Sequence, residues 1–327
     1  MNTIEVKNLI KTYQTHRKAP GLAGSIKSFV RREYIDVEAV KEISFNLERG
    51  ELVGFIGPNG AGKTTTLKVL SGLLYPTSGK VDILGYTPWT RKSKYLRQIS
   101  LVMGQKNQLW WDLPSQESFT LNKEIYSVPD DQYQKTLGTL LEMLEFQKLT
   151  DIPVRKLSLG QRMKAELIAA LLHSPKILFL DEPTIGLDVV VQKNLRQFIK
   201  EYNAEFQSTI LLTSHYMGDV EELCQRVIVI DEGQIGYDGR LQELVKKYAP
   251  NKTITLIFLE EITRDLLEPY GKITSYDPLR VTFEVPRNQT REIASRVLQE
   301  LPVDDLDIAE MPIEEIIRQV FGASSKE

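Results

Sequence analysis

The sequence predicts an α/β fold followed by a smaller α+β unit. Two apolar runs, "ELVGFIG" at 51–57 and "ILFLDE" at 177–182, have the length and the bounding turn residues of buried strands. The first leads through a glycine-rich loop into "KTTTLKVLSGLL" at 63–74, whose leucines recur at helical spacing. Residues 246–327 differ in composition and mix strand-like with helical stretches, which predicts a separate small unit.

The composition limits the classes of function that the chain can have. Of its 327 residues, 42% are hydrophobic and 26% are charged, as in an ordinary globular protein. The formal net charge of -3 predicts no general affinity for nucleic acid or for an anionic membrane. Cys224 is the only cysteine, which excludes an internal disulfide and is typical of a reducing compartment. The apolar runs are far shorter than the roughly 20 residues that span a bilayer, so we expect any membrane role to act through a partner.

The loop between the first strand and the first helix reads "GPNGAGKTT" at 57–65. A G-x-x-x-x-G-K-[ST] pattern in this context is typical of a loop whose backbone N–H groups bind phosphate. We expect Lys63 to reach the β- and γ-phosphates, Thr64 to ligate Mg²⁺ and Thr65 to support the α-phosphate. The alternative is a glycine-rich turn without a ligand. The residues assigned to nucleotide binding here are Gly57, Asn59, Gly60, Gly62, Lys63, Thr64 and Thr65.

The strand at 177–182 ends in two adjacent carboxylates. Because side chains alternate between the faces of a strand, we expect Asp181 and Glu182 to have different roles. Asp181 is predicted to hold Mg²⁺, usually through water, and Glu182 to polarise the water that attacks the γ-phosphate. Alone, an acidic pair after a strand is more often a solvated turn or a helix cap. Beside a phosphate-binding loop, the catalytic interpretation is favoured.

Three further stretches narrow the interpretation: "LSLGQRMKAELIAALL" at 157–172, "LDEPTIGLD" at 180–188 and "TSH" at 213–215. Together with the loop they resemble the ATP-binding subunit of ABC transporters, over about residues 1–245. The resemblance implies a P-loop ABC-type ATPase fold with an antiparallel β subdomain and a helical subdomain. We place the helical subdomain at about 106–172, with helices at 130–150 and 160–172.

The resemblance assigns a signature motif that contacts the γ-phosphate held by the other subunit. The matching residues are Ser158, Gly160 and Gln161, and Leu159 stands where the usual pattern has a second glycine. That substitution leaves the local backbone and the hydrolysis rate open.

Other positions are matched one at a time. Gln105, after the strand-like "ISLVM", looks like the glutamine that couples Mg²⁺ and the attacking water to the transmembrane partner, and we include it among the metal ligands. His215 resembles the switch histidine at the γ-phosphate, and Asp188 the aspartate that communicates across the dimer. Tyr13 lies where the family has an aromatic ring under adenine.

The resemblance also implies the partners and the mechanism. The signature motif and the phosphate loop of one chain face different nucleotides. Two copies are therefore expected to pair head to tail and to bury two ATP molecules. The sequence leaves open whether the second ATP-binding subunit is a copy of this chain or a different protein. The implied cofactors are ATP and Mg²⁺, and the implied partners are transmembrane ABC permease subunits at the cytoplasmic face of the cell membrane. We expect export; import, or an ABC ATPase without a transport role, are the alternatives. The sequence does not name the cargo.

An insertion at about 15–37 departs from the minimal family plan. Its apolar residues follow helical spacing, and basic residues including Arg31 and Arg32 accompany them. This pattern predicts a basic amphipathic helix that contacts the membrane surface or a transmembrane subunit. The alternative is a surface helix that packs on its own domain.

Two adjacent tryptophans and the C-terminal unit give the last expectations. Trp110 and Trp111 are costly to expose together, so we expect at least one in the cleft that receives the membrane subunit, or else core packing. The unit at 246–327 looks like the C-terminal appendage of ABC type 2 exporter ATPases and is expected to support the dimer. Its acidic residues are interpreted as a solvated turn rather than a metal site: Asp304, Asp305 and Asp307.

Overall fold

The computed structural model describes residues 2–16, 34–214, 216–311 and 316. The chain divides into two compact units, Met1–Gly239 and Arg240–Glu327. The predicted insertion helix lies largely outside the described residues, as does His215. In the part of the chain that the structure describes, no helix combines the length and the apolar character needed to cross a membrane.

The first unit contains two sheets and a set of helices. Its strands are β1 (Asn2–His16), β2 (Tyr34–Glu48), β3 (Leu52–Ile56), β4 (Ser78–Ile83), β5 (Ile99–Met103), β6 (Ile177–Asp181), β7 (Thr209–Thr213), β8 (Arg226–Asp231) and β9 (Gln234–Arg240). Its α-helices are α1 (Lys63–Leu70), α2 (Ser93–Leu96), α3 (Ser115–Tyr126), α4 (Asp130–Met143), α5 (Leu159–Leu171), α6 (Val189–Phe206) and α7 (Met217–Leu223). This arrangement confirms the predicted α/β fold.

The larger sheet positions the candidate site. Its strand order is β5-β6-β7-β3-β8-β9, and the four pairs from β5 to β8 are parallel. Strands β6 and β7 are buried along their whole length, which explains why their sequences are continuous apolar runs. Because parallel strands end at the same edge of a sheet, the segments after β3, β5, β6 and β7 converge there. The phosphate loop follows β3 and Gln105 follows β5, while Asp181 is the last residue of β6 and Thr213 the last residue of β7.

The smaller sheet of this unit is the predicted antiparallel β subdomain. Its strand order is β2-β1-β4, and both pairs are antiparallel. The β1–β2 pairing extends from Asn2 opposite Glu48 to His16 opposite Tyr34, so both strands continue into the edges of the predicted insertion. Buried residues such as Val6 join this sheet to the core beneath the central sheet.

The predicted helical subdomain is built from α3, α4 and α5. The helices expected at 130–150 and 160–172 are confirmed as α4 and α5, although α4 ends at Met143. Helix α3 was not predicted from the sequence, because the tryptophan pair and Pro114 obscure its start. The rings of Phe119 and Phe146 meet edge to face at 6.5 Å in the buried centre of the three helices.

The second unit is a small α+β fold. Helix α8 (Leu241–Tyr248) precedes β10 (Asn251–Phe258), α9 (Arg264–Leu267), β11 (Lys272–Asp277), β12 (Arg280–Pro286), α10 (Thr290–Glu300) and β13 (Val303–Glu310). The strand order is β11-β12-β10-β13 with every pair antiparallel. From β10 onward this is the β-α-β-β-α-β arrangement of a ferredoxin-like fold. The solvated turn expected at the three aspartates is wrong, because these exposed residues lie on the edge strand β13.

Candidate functional site

The phosphate loop occupies the turn between β3 and α1. Gly62 precedes the helix with a φ of 104°, a left-handed conformation that favours glycine. A Cβ on Gly57 would lie 1.9 Å from the carbonyl oxygen of Ile230, and one on Gly62 would lie 2.4 Å from that of Ala39. Both contacts are with backbone, which cannot rotate away as a side chain can. The two glycines are therefore required by the neighbouring chain as well as by the turn.

We expect Gly57→Ala to lower the free energy of unfolding by about 3 kcal/mol, because a rigid backbone oxygen stands where the methyl group would be. Denaturant unfolding measures this change. Gly60→Ala is the matched control: its φ is 85°, but a Cβ there has nothing within 4 Å. It should cost about 1 kcal/mol for backbone strain alone. Equal losses for the two variants would contradict the steric argument.

Lys63 is buried at the start of α1. Its Nζ donates to the carbonyl oxygens of Gly57 at 2.7 Å and Pro58 at 2.9 Å. Burial lowers the pKa of the Lys63 ammonium, and the negative charges of Glu182 and Asp181 act against that shift. A buried ammonium that bonds to the carbonyls of this loop is placed to bind an anionic group that enters the loop.

Thr64 and Asp181 meet directly. Thr64 Oγ1 lies 2.9 Å from Oδ2 and 3.1 Å from Oδ1 of Asp181, and Thr213 Oγ1 donates to Oδ1 at 2.7 Å. A threonine hydroxyl and a carboxylate are hard oxygen donors, the ligand type that Mg²⁺ prefers. Thr64 and Asp181 are therefore side chains of the type that would hold Mg²⁺. Sequence reasoning gave no role to Thr213, which comes from the next strand of the sheet.

Glu182 is placed by a left-handed turn. Its φ is 54°, and its backbone N–H donates to the Thr213 carbonyl at 3.0 Å. Gln105 Nε2 donates to Glu182 Oε2 at 2.9 Å, so the structure joins these two predicted residues. We expected the separate roles of Asp181 and Glu182 to follow from the alternation of side chains along one strand. That reason is wrong, because β6 ends at Asp181 and Glu182 lies beyond it. A non-glycine residue in this conformation costs about 1–2 kcal/mol, which is typical of a constrained functional position.

Tyr13 lies on β1 beside the start of α1. Its hydroxyl is 3.5 Å from Thr65 Oγ1, and the Lys11 ammonium lies 5.1 Å from the centre of its ring. The ring is half-buried, so part of it faces solvent next to the phosphate loop. Asn59 is exposed at the tip of that loop. Both placements agree with the predicted position of a nucleotide, although neither residue contacts the carboxylates.

The signature residues form the N-terminus of α5. Ser158 Oγ accepts from Gln161 N at 3.2 Å, and Gln161 Oε1 accepts from Ser158 N at 3.0 Å, which is a capping box. A Cβ on Gly160 would lie 2.8 Å from Val191 on α6, so that glycine is needed for close helix packing. Leu159 is 38% exposed and leaves the capping box intact. The substituted signature therefore keeps a regular helix start.

The signature and the phosphate loop of this chain are separate. Within residues 2–16, 34–214 and 216–311, no hydrogen bond joins 158–161 to 57–65. Asp188, also predicted at the dimer contact, caps α6 by accepting from Val191 N at 3.0 Å. Asp188 is exposed.

A buried network behind the site was missed by sequence reasoning. Asp219 is fully buried on α7 and accepts from Thr184 Oγ1 and Ser214 Oγ, each at 2.6 Å. Arg196 Nη1 donates to its other oxygen at 3.0 Å. Thr184 follows Glu182 by two residues and Ser214 is the first residue after β7, so one carboxylate joins two loops of the site.

A cleft of about 420 Å³ lies between the central sheet and the helical subdomain. It is lined by Ser71, Leu73, Arg91, Leu96, Ile99, Ser100, Leu101, Met103, Gln108, Leu109, Asn122, Tyr126, Glu166, Ala169 and Ala170. Core packing of the tryptophan pair is wrong, since Trp110 is 53% and Trp111 47% exposed. The described lining includes neither; the Arg162 guanidinium lies 5.4 Å from the centre of the Trp111 ring.

Glu166 is the buried acid of this cleft, at 3% exposure. Burial raises the pKa of its carboxyl to about 7, against the opposing effects of the Gln108 N–H and the Arg162 charge. Among the described residues, its Oε2 has no hydrogen-bond partner, and Oε1 accepts only a 3.4 Å bond from Gln108 N. Sequence reasoning gave this residue no role, because a glutamate in a helix normally faces solvent.

We expect Glu166→Gln to stabilise the fold in a pH-dependent way. A raised carboxyl pKa means that ionisation opposes folding, so the cost is absent below about pH 4.5 and complete above about pH 7. The variant should gain about 1–3 kcal/mol of unfolding free energy at pH 8. Denaturant unfolding at pH 4.5 and pH 8 checks this. A gain that is the same at both values would contradict it.

Comparison with known protein families agrees with this site. Residues 40–185 match the model of the family described as "ABC transporter", and residues 250–309 match "EvrA-like ABC transporter, C-terminal domain". The chain is 31% identical to the ABC transporter ATP-binding protein NatA of Bacillus subtilis (strain 168), over 70% of this chain and 93% of NatA. It is 34% identical to the bacitracin transport ATP-binding protein BcrA of Bacillus licheniformis, over 62% of this chain and 65% of BcrA.

A solved structure gives the same result for the fold. A dimeric ATP-binding cassette, MJ0796, in a post-hydrolysis state bound to ADP and phosphate, superposes with a TM-score of 0.60. The match covers 73% of this chain and 98% of that cassette at 25% identity. The similarity therefore spans nearly all of a nucleotide-binding cassette.

Proposed function

This chain belongs to the ABC transporter ATP-binding family and is an ATPase subunit; from that premise we propose that it dimerises on ATP and powers export through transmembrane permease subunits. The observation that carries the proposal is the cluster at the carboxyl edge of the central sheet. There, side chains at the carboxyl ends of β3, β5 and β6 come together: Lys63, Thr64, Gln105, Asp181 and Glu182.

Each of these residues has a proposed role. Lys63 exchanges its loop carbonyls for the β- and γ-phosphates of ATP. Thr64 and Asp181 are the residues that hold Mg²⁺, with Gln105 as a further oxygen ligand. When bound, Mg²⁺ neutralises charge on the phosphates. Glu182 accepts a hydrogen bond from the attacking water and directs it at the γ-phosphate.

The rest of the site is proposed to act across a dimer. The capped N-terminus of α5 presents the Ser158 hydroxyl and backbone N–H groups to the γ-phosphate bound by the second subunit. The separation of 158–161 from the phosphate loop supports this assignment. Asp188 contacts the second subunit, Tyr13 stacks on adenine, and His215, which lies outside the described residues, is the γ-phosphate switch. A homodimer supplies two such sites by symmetry.

Export at the cytoplasmic face of the cell membrane is the proposed setting. BcrA is a bacitracin transport protein, and the C-terminal unit matches a domain of EvrA-like ABC transporters. Both support a type 2 exporter. The basic insertion at 15–37 is proposed to add contact with the membrane surface or the permease.

Affinity purification of the tagged chain from its native membranes tests the transport role. Wild type and Glu182→Gln are purified in ATP, and the accompanying polypeptides are identified by mass. A permease with several spans supports the proposal, and a stronger recovery with Glu182→Gln supports the ATP-closed dimer. An importer permease with a substrate-binding protein would reverse the direction. Ribosomes, DNA or the chain alone would overturn the transport role.

A further inference from the structure

The cleft that contains Glu166 has an unsatisfied acceptor. A buried carboxylate oxygen without a hydrogen-bond partner is destabilising by about 1–3 kcal/mol, more when it is charged. Within the described residues, Oε2 of Glu166 is a buried oxygen without a hydrogen-bond partner. The fold therefore keeps a buried acid where a neutral or apolar residue would be more stable.

Within the described residues, no side chain of the cleft donates to Oε2 of Glu166. Gln108 Nε2 donates to the Leu101 carbonyl, and Asn122 Nδ2 donates to the Ser118 carbonyl. Arg91 is exposed and its Nη1 donates to the Gly72 carbonyl. Arg162 lies over the Trp111 ring. None of these side chains donates to Oε2 of Glu166, so this acceptor is left for a donor that a binding partner supplies.

The cleft also limits the kind of group that can supply the donor. Its walls carry Leu96, Leu101 and Leu109, which suit an apolar surface. Glu166 and Arg91 are the two charged residues in the described lining, and Arg91 is the exposed one. An apolar helix turn with one basic side chain complements these walls, because a buried carboxylate binds a guanidinium or ammonium strongly once water is excluded.

We propose that Glu166 selects the transmembrane partner, by accepting a charge-assisted hydrogen bond from a single arginine or lysine on the permease segment that enters this cleft. The inference rests on the proposed function, and it adds a specificity residue and the chemistry of its partner. The raised carboxyl pKa agrees with it, since an incoming cation would restore the ionised form.

The test uses the full chain in its native membranes. Wild type, Glu166→Gln and the control Glu142→Gln, which changes an exposed glutamate on α4, are purified and the permease that accompanies each is quantified. Glutamine keeps the shape of the side chain and removes its charge. Recovery should fall at least about tenfold with Glu166→Gln alone. Circular dichroism of the purified variants confirms that each is folded.

Photo-crosslinking identifies the group that faces the cleft. A benzophenone amino acid at position 122, which lines the cleft on α3, is crosslinked in the membranes and the attached permease peptide is sequenced. The proposal expects an arginine or lysine in that peptide. Changing that basic residue to glutamate should abolish recovery, and Glu166→Arg in the same cells should restore it.

The outcomes separate the two proposals. A permease recovered equally with Glu166→Gln, or a crosslinked peptide without a basic residue, overturns the role of Glu166 and leaves the transport role standing. Failure to recover any permease, even with wild type, overturns the transport role and this inference together.

Discussion

Replacing Glu182 by glutamine is expected to lower the rate of ATP hydrolysis by about 10²–10⁴-fold. Glutamine has nearly the same shape and can accept the hydrogen bond from Gln105, but it cannot take a proton from the attacking water. Lys63, Thr64 and Asp181 are unchanged, so ATP should still bind. Phosphate release under saturating ATP and Mg²⁺ measures the rate, and equilibrium binding of labelled ATP measures retention.

The same variant tests the dimer. If hydrolysis opens the subunits, an enzyme that binds ATP without hydrolysing it should accumulate as a dimer, detectable by sedimentation. Glu205→Gln, an exposed change on α6, is the control and should hydrolyse ATP like wild type. A Glu182→Gln chain that stays monomeric in saturating ATP would count against the composite site. Full hydrolysis would count against Glu182 as the base.

Asp219→Ala is expected to cost about 3–5 kcal/mol of unfolding free energy. Arg196 would lose the buried oxygen to which it donates at 3.0 Å, and the hydroxyls of Thr184 and Ser214 would lose their acceptor. Hydrolysis should fall as well, because those hydroxyls hold the loops that follow β6 and β7. Denaturant unfolding and phosphate release measure the two effects.

Two further variants test whether loss of the buried Arg196–Asp219 pair causes the destabilisation by Asp219→Ala. Arg196 also donates to Glu222 at 2.5 Å, but that carboxylate is 37% exposed, so Glu222→Gln should cost less than about 1 kcal/mol. The double variant Arg196→Met with Asp219→Leu should lose less than the sum of its single variants, because it leaves no unpaired buried charge. Strict additivity would mean that the pair does not couple.

The parts of the site that the sequence predicted are those built locally. The phosphate loop and the signature are each contained in a few consecutive residues, so a motif and its flanking elements identified them. The placement of Glu182 depended on a left-handed turn, which a pattern of residue types does not reveal. Asp219 and Glu166 depended on contacts between segments distant in the chain, and a single sequence contains no record of those contacts.

The C-terminal unit shows the same limit. A mixture of strand-like and helical stretches was predicted from the sequence, but β11 was not, and the order β11-β12-β10-β13 places the first strand of the ferredoxin-like fold between the third and the fourth. That crossing arises from packing of α10 and the buried strand faces around residues such as Phe283. Amphipathic spacing predicts which face is buried and leaves the neighbouring strand undetermined.

The two hydrogen bonds of Lys63 to its own loop affect how readily a bound phosphate is released. Its ammonium already makes two short bonds to its own loop, so an incoming phosphate replaces bonds instead of adding them. An exchanged hydrogen bond contributes only about 0.5–1.5 kcal/mol net. When the phosphate leaves, Lys63 Nζ can again donate to the carbonyl oxygens of Gly57 and Pro58. Release of the phosphate therefore does not leave the Lys63 charge unpaired in the loop. Under the proposed function, separation of the two subunits, and not relaxation of this loop, would then set the timing of each cycle.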